Sequence, residues 1–148
     1  MRFSQAFLCI KMRINDKIKE IDDYLSELEE IMPKSFYKYK TDLKTKAACE
    51  RYFEKIIEAV IDLAFLIIRD KGYKIPEEDK EAFDILAQEK IISQELAIKL
   101  KEAKGMRNII AHEYGKTDDK LIFHSITEEL ESDVNELIKS LSITRKLQ

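Results

Sequence analysis

Ile10, Ile14, Ile18, Ile21, Leu25, Leu28 and Met32 recur four or three positions apart. On a helix of about 3.6 residues per turn that spacing gathers them into one apolar stripe. Pro33 closes it. Thr41 or Asp42 can then cap a second helix, running to about Asp70 and stopped by Gly72. From Tyr52 to Ile68 its apolar residues cover more than one face, so it is expected to be the central, most buried helix. Pro76 suits the first turn of a third helix, with Glu77, Glu78 and Asp79 near its positive end. Ser93 can cap a fourth helix that ends at Gly115. Gly105 lies inside that helix, where it costs about 1 kcal/mol relative to Ala. Close packing against a neighbour would account for it, as would a bend that aims Arg107. Asp118 or Asp119 opens the last helical region, whose stripe is Ile126, Leu130, Val134, Leu137 and Leu141. The expected fold is all-α: an up-and-down bundle of four main helices plus a short extra helix. Residues 1–148 read as a single domain. Residues 1–11 read either as an N-terminal appendage ahead of a start at Met12 or as a frayed first turn.

Composition narrows this picture. Three Gly and two Pro leave little material for tight turns, which disfavours a many-stranded fold. A chain of 148 residues can bury a core without staples. Cys9 and Cys49 form no motif and suit a reduced, cytoplasmic setting. No segment approaches the roughly 18 apolar residues of a membrane span. The net charge of −3 argues against general affinity for nucleic acid, so any RNA binding must come from local patches.

The chemistry concentrates in Arg107-Asn108-Ile109-Ile110-Ala111-His112-Glu113-Tyr114, followed at once by Gly115. Arginine is a fixed cation suited to phosphate. Histidine, with an unperturbed pKa of roughly 6.5, trades protons near neutrality. Together they can bind a phosphodiester and do acid–base chemistry on it without a metal. Residues five apart on a straight helix point about 140° away from each other, so Arg107 and His112 do not share a face. Arg107 and Tyr114 nearly do. Asn108 sits one turn before His112, where a hydrogen bond would orient the ring and fix its tautomer. Convergence of Arg107 with His112 therefore needs a distorted last turn or a second chain. A two-fold axis near this helix end would place both copies of the string in one groove. It would supply two imidazoles, one as general base and one as general acid, with Arg107 on the scissile phosphate. The plainer alternative is a helix-end histidine at the negative pole beside a surface arginine.

The string resembles the Arg-x-x-x-x-His-x-Tyr signature of the HEPN superfamily, in particular its HepT-like toxins. Residues 47–62 are similar to the second helix of that family, and Pro76, Phe83 and the run Leu86-Ala87 to its third. The resemblance covers most of the chain. It implies a HEPN-like bundle and a homodimeric, metal-independent endoribonuclease that cuts mRNA or tRNA and needs no cofactor. It makes Arg107 and His112 catalytic, with Asn108 in support. It also implies the toxin half of a type II toxin–antitoxin pair, silenced when a MntA-like minimal nucleotidyltransferase antitoxin attaches AMP to Tyr114. The alternative is a non-catalytic helical partner of such a nucleotidyltransferase, with the signature serving only as a binding groove.

Three other features carry weaker expectations. Lys38, Lys40, Lys44 and Lys46 stand among Phe36, Tyr37 and Tyr39. Cations beside stacking rings suit single-stranded RNA; a solvated loop and helix start is the plainer reading. Glu50, Glu54, Glu58 and Asp62 recur four apart on the second helix, with Arg51 and Lys55 as candidate partners. The first half of that helix is thus expected to be an exposed face. Glu58 and Asp62 fall in the apolar half and need cations that the sequence does not name. Two cysteines and two histidines with no close pair do not suit a zinc site, and His124 reads as structural.

Overall fold

The structure, a computed structural model, describes residues 2–113 and 117–146; for residues 2–4, 6, 7 and 142–146 it describes the backbone alone. The elements are α1 (Arg2–Ile31), α2 (Phe36–Thr41), α3 (Leu43–Lys71), α4 (Asp79–Gln88), α5 (Gln94–His112), α6 (Asp119–His124), a π-helical segment (Ser125–Leu130) and α7 (Glu131–Lys146). No strand occurs among the described residues, and none of their helices is long and apolar enough to cross a membrane.

The caps explain where these helices start and stop. Asp42 accepts a hydrogen bond from the Thr45 backbone N–H at the head of α3, and Ser93 accepts one from Leu96 at the head of α5. At the tail of α3, Gly72 is left-handed at φ 72°. Its N–H donates to the Arg69 carbonyl, and the Tyr73 N–H reaches back to Ile68, so two orphan carbonyls are satisfied. The tail of α4 repeats this pattern without a glycine. Lys90, at φ 60°, donates to Ala87, and Ile91 donates to Leu86.

α3 is the central helix. Phe53, Ile56, Val60, Leu63, Ala64 and Ile68 are fully buried along it. α1 packs along it through Ile14, Ile21 and Leu28, with Ile10, Ile18, Leu25 and Met32 partly buried beside them. Ile122, Ile126, Leu130, Val134, Leu137 and Leu141 carry one buried stripe through α6, the π-helical segment and α7.

Four expectations change. Pro76 is buried but lies outside α4, which begins at Asp79 with Glu78 as its N-cap. The stretch between Pro33 and Asp42 contains its own short helix, α2, capped by the Ser35 side chain on Lys38. A Cβ built on Gly105 would meet nothing within 4 Å, so close packing does not explain that glycine. α5 stops at His112 with Glu113 as C-cap. Gly115, expected as the stop, lies outside the described residues.

Candidate active site at the end of helix α5

Arg107 and His112 occupy the last two turns of α5, and their side chains go different ways. Arg107 turns inward against α3. Its Nη2 donates to Glu58 Oε1 at 2.8 Å, and its Nη1 donates to Asn108 Oδ1 at 2.9 Å. The Arg107 side chain is 23% exposed and that of Glu58 40%. Arg107 Nε is buried without a hydrogen-bond partner. His112 is exposed on the final turn. This divergence follows the helical phase read from their spacing.

Asn108 departs from expectation. Its carbonyl oxygen accepts from the neighbouring Arg107 and does not orient His112. The carboxylate of Glu58 draws the guanidinium to that side of α5, and the amide follows. Tyr114, the expected modification site, lies outside the described residues.

The acidic row on α3 gets a partner at each step. Glu50 meets Lys46 at 3.9 Å, Glu54 meets Arg51 at 3.3 Å, Glu58 meets Arg107, and Asp62 meets Lys17 of α1 at 3.5 Å. The first half of α3 has an exposed face at Leu43, Lys44, Ala47 and Arg51, but Glu50 and Glu54 are half-buried, whereas Asp62 is exposed. The end of α5 lies beside these two carboxylates through Ile110 and Ala111, and Asp119, at the start of α6, pairs with Lys46 at 2.8 Å. Lys55 leaves the row altogether, with its ammonium over the rings of Tyr24 and Tyr52 at 5.5 and 5.9 Å. Burial pushes the Glu50 carboxyl above the usual carboxylate range; Lys46 opposes the shift, while Asp119 and Glu54 add to it.

A groove of about 280 Å³ runs beside the end of α5, lined by Lys46, Ala47, Glu50, Glu54, Ile110 and Ala111, with Thr117 at its edge. Two carboxylates against one already paired lysine make this groove poor for phosphate. A larger cleft of about 460 Å³ opens between α5 and the last helical region. Its floor includes Ile57, Leu100, Met106 and Ile109, and Gly105 lies on its wall. No local pattern in the sequence marks this cleft, because its lining comes from separate stretches of chain.

The lysine cluster is only partly available. Lys38, Lys40 and Lys44 are exposed, whereas Lys46 is half-buried and bound to Asp119 and Glu50. Tyr39 is fully buried, and Phe36 packs edge-on against Phe123 with centroids 5.7 Å apart. Of the three rings in this stretch, Tyr37, at 74% exposed, is free to stack on a base.

The arrangement can do acid–base work at His112 and hold an anion at Arg107. Comparison with known proteins places the chain in a family. The profile described as "Ribonuclease HepT-like" matches residues 21–141. The chain belongs to the HepT-like ribonuclease family. Among its relatives, the mRNA nuclease HepT of Shewanella oneidensis is 31% identical over 93 residues, covering 63% of this chain and 70% of that protein. The tRNA nuclease HepT of Aphanizomenon flos-aquae is 27% identical over 118 residues, covering 80% of each chain. In three dimensions the chain is similar to the tri-AMPylated HEPN toxin of Shewanella oneidensis, solved in complex with its MNT antitoxin. The TM-score is 0.81 at 27% identity, over 88% of this chain and 96% of that one. This HepT-like chain therefore shares with its relatives the bundle on which Arg107 and His112 are carried.

Proposed function

We propose that this chain is a metal-independent endoribonuclease and the toxin of a toxin–antitoxin pair, acting in the cytoplasm. Arg107 and His112 are its catalytic residues. The observation that carries the reading is Arg107 clamped at the end of α5, five positions before an exposed His112, in a chain of the HepT-like family.

His112 takes the proton from a ribose 2′-hydroxyl as it attacks the neighbouring phosphate, or returns one to the departing 5′-oxygen. Arg107 pairs with the phosphate and stabilises the charge that builds on it. One chain turns these two groups apart. Two chains related by a two-fold axis at the end of α5 would face both pairs into one groove and supply an acid and a base together. Ile109, 40% exposed on the same turns, gives that contact apolar surface. Lys38, Lys40 and Lys44 are the cations left for the rest of the RNA strand, and Lys46 contributes less because its ammonium is already paired.

The partner is a MntA-like nucleotidyltransferase antitoxin that silences the toxin by adding AMP to Tyr114. An adenylyl phosphate added near the end of α5 would compete with RNA for the Arg107 guanidinium.

Purified protein incubated with total RNA should generate new ends, and Arg107→Ala should not. Incubation with the cognate nucleotidyltransferase, ATP and magnesium should add AMP mass to wild type and none to Tyr114→Phe. Uncut RNA would favour the other reading, a non-catalytic partner of the nucleotidyltransferase. Equal mass gain in Tyr114→Phe would remove Tyr114 from the control mechanism alone.

A further inference from the structure

We infer that Glu58 is a positioning residue for RNA cleavage: its carboxylate fixes the Arg107 guanidinium in the orientation that meets the phosphate. This rests on the ribonuclease reading above and assigns Glu58 a role within it.

Glu58 stands apart from the rest of its row. Glu50 and Glu54 pair with cations of their own helix, and Asp62 pairs with α1. Glu58 alone of the four reaches α5, across 49 positions of sequence, and the residue it meets there is the signature arginine. The contact has good geometry, at 2.8 Å. The second arm of the guanidinium is taken by Asn108 at 2.9 Å. One acceptor on each terminal nitrogen fixes both the position and the plane of the fork. Each terminal nitrogen keeps a second N–H. Those two N–H groups remain as donors for phosphate oxygens. Asn108 alone would anchor one nitrogen and leave the plane free to turn about it, on a side chain with several rotatable bonds.

Stability does not explain the pair. With Glu58 40% exposed, solvent screens the attraction and the bond adds little to folding. Removing it should therefore leave the melting temperature nearly unchanged while cleavage falls. A purely structural role would move both together.

The test is cleavage of a fluorophore–quencher RNA oligonucleotide of mixed sequence by wild type, Glu58→Ala, Glu58→Gln and Arg107→Ala, with melting temperatures measured alongside. A guanidinium misplaced by about 1 Å is expected to lower kcat about 10- to 100-fold in Glu58→Ala, with KM nearly unchanged. Glu58→Gln keeps an oxygen that accepts from Nη2 and should retain most of kcat. Loss of cleavage in Arg107→Ala with full kcat in Glu58→Ala overturns this inference and leaves the ribonuclease reading standing. A Glu58→Gln variant that binds RNA more tightly and cuts faster than wild type also overturns it, because Glu58 would then be a restraint on Arg107. Uncut RNA with wild type, or full cutting by Arg107→Ala, overturns the ribonuclease reading and this inference with it.

Discussion

Tyr39 carries its hydroxyl into the core, where the oxygen has no hydrogen-bond partner. Burial pushes its pKa well above the usual phenol range, with Glu50, Cys49 and Asp119 adding to the shift. An unsatisfied buried hydroxyl costs roughly 1–3 kcal/mol. Tyr39→Phe should keep the ring against Phe123 at 5.4 Å and stabilise the protein by about 1 kcal/mol in urea unfolding. A loss of stability would mean that the hydroxyl is bonded. At this scale the sequence was legible where local geometry decides and opaque where it does not. The divergence of Arg107 and His112 follows from 100° per residue, and the structure keeps it. The partner of Asn108 does not follow, because His112 one turn on and Arg107 next door are both within reach. A carboxylate 49 positions away settles that choice, and no local pattern contains it.

Helix ends were legible at Asp42, Gly72, Ser93 and Asp118, where a side chain or glycine caps them. Two features escaped. α2 is only 6 residues long, too short to show a periodic stripe, and its two inward rings reveal themselves only through contact with Phe123. The turn after α4 is left-handed at a lysine, where pattern reasoning looks for Gly or Asn. A non-glycine residue in this region costs roughly 1–2 kcal/mol. Lys90→Gly should relieve that strain, offset in part by the greater freedom of glycine in the unfolded chain, for a net gain of about 0.5–1 kcal/mol. Gly105→Ala offers the converse. The helix interior favours alanine by about 1 kcal/mol, and nothing obstructs the new methyl group. It should raise the melting temperature. A drop would mean that Gly105 serves a bend or a contact made with another chain.

Across the whole molecule, one bundle pairs Arg107 inward with Glu58 and leaves His112 exposed, and the net charge of −3 gives RNA no general attraction. Stability should also carry a pH signature. Asp133, beside the 460 Å³ cleft, has its carboxyl raised by burial; Lys99 opposes the shift, and Glu129 and Glu136 add to it. A folded pKa above the unfolded one means that the native state binds more protons, so this group's contribution falls as pH rises through that window. Asp133→Asn should therefore stabilise the protein at pH 7 and much less at pH 4, read from denaturant midpoints. A gain that is equal at both values would place the cause outside this titration. The chemistry proposed for the end of α5 is RNA cleavage by proton transfer through His112 without a metal. Cleavage of RNA in EDTA by wild type and by His112→Ala, with both proteins shown folded by circular dichroism, tests it most directly. Wild type should keep full activity under chelation, and His112→Ala should lose about 10²–10⁴-fold. Cleavage that EDTA abolishes, or that His112→Ala retains, would contradict this chemistry.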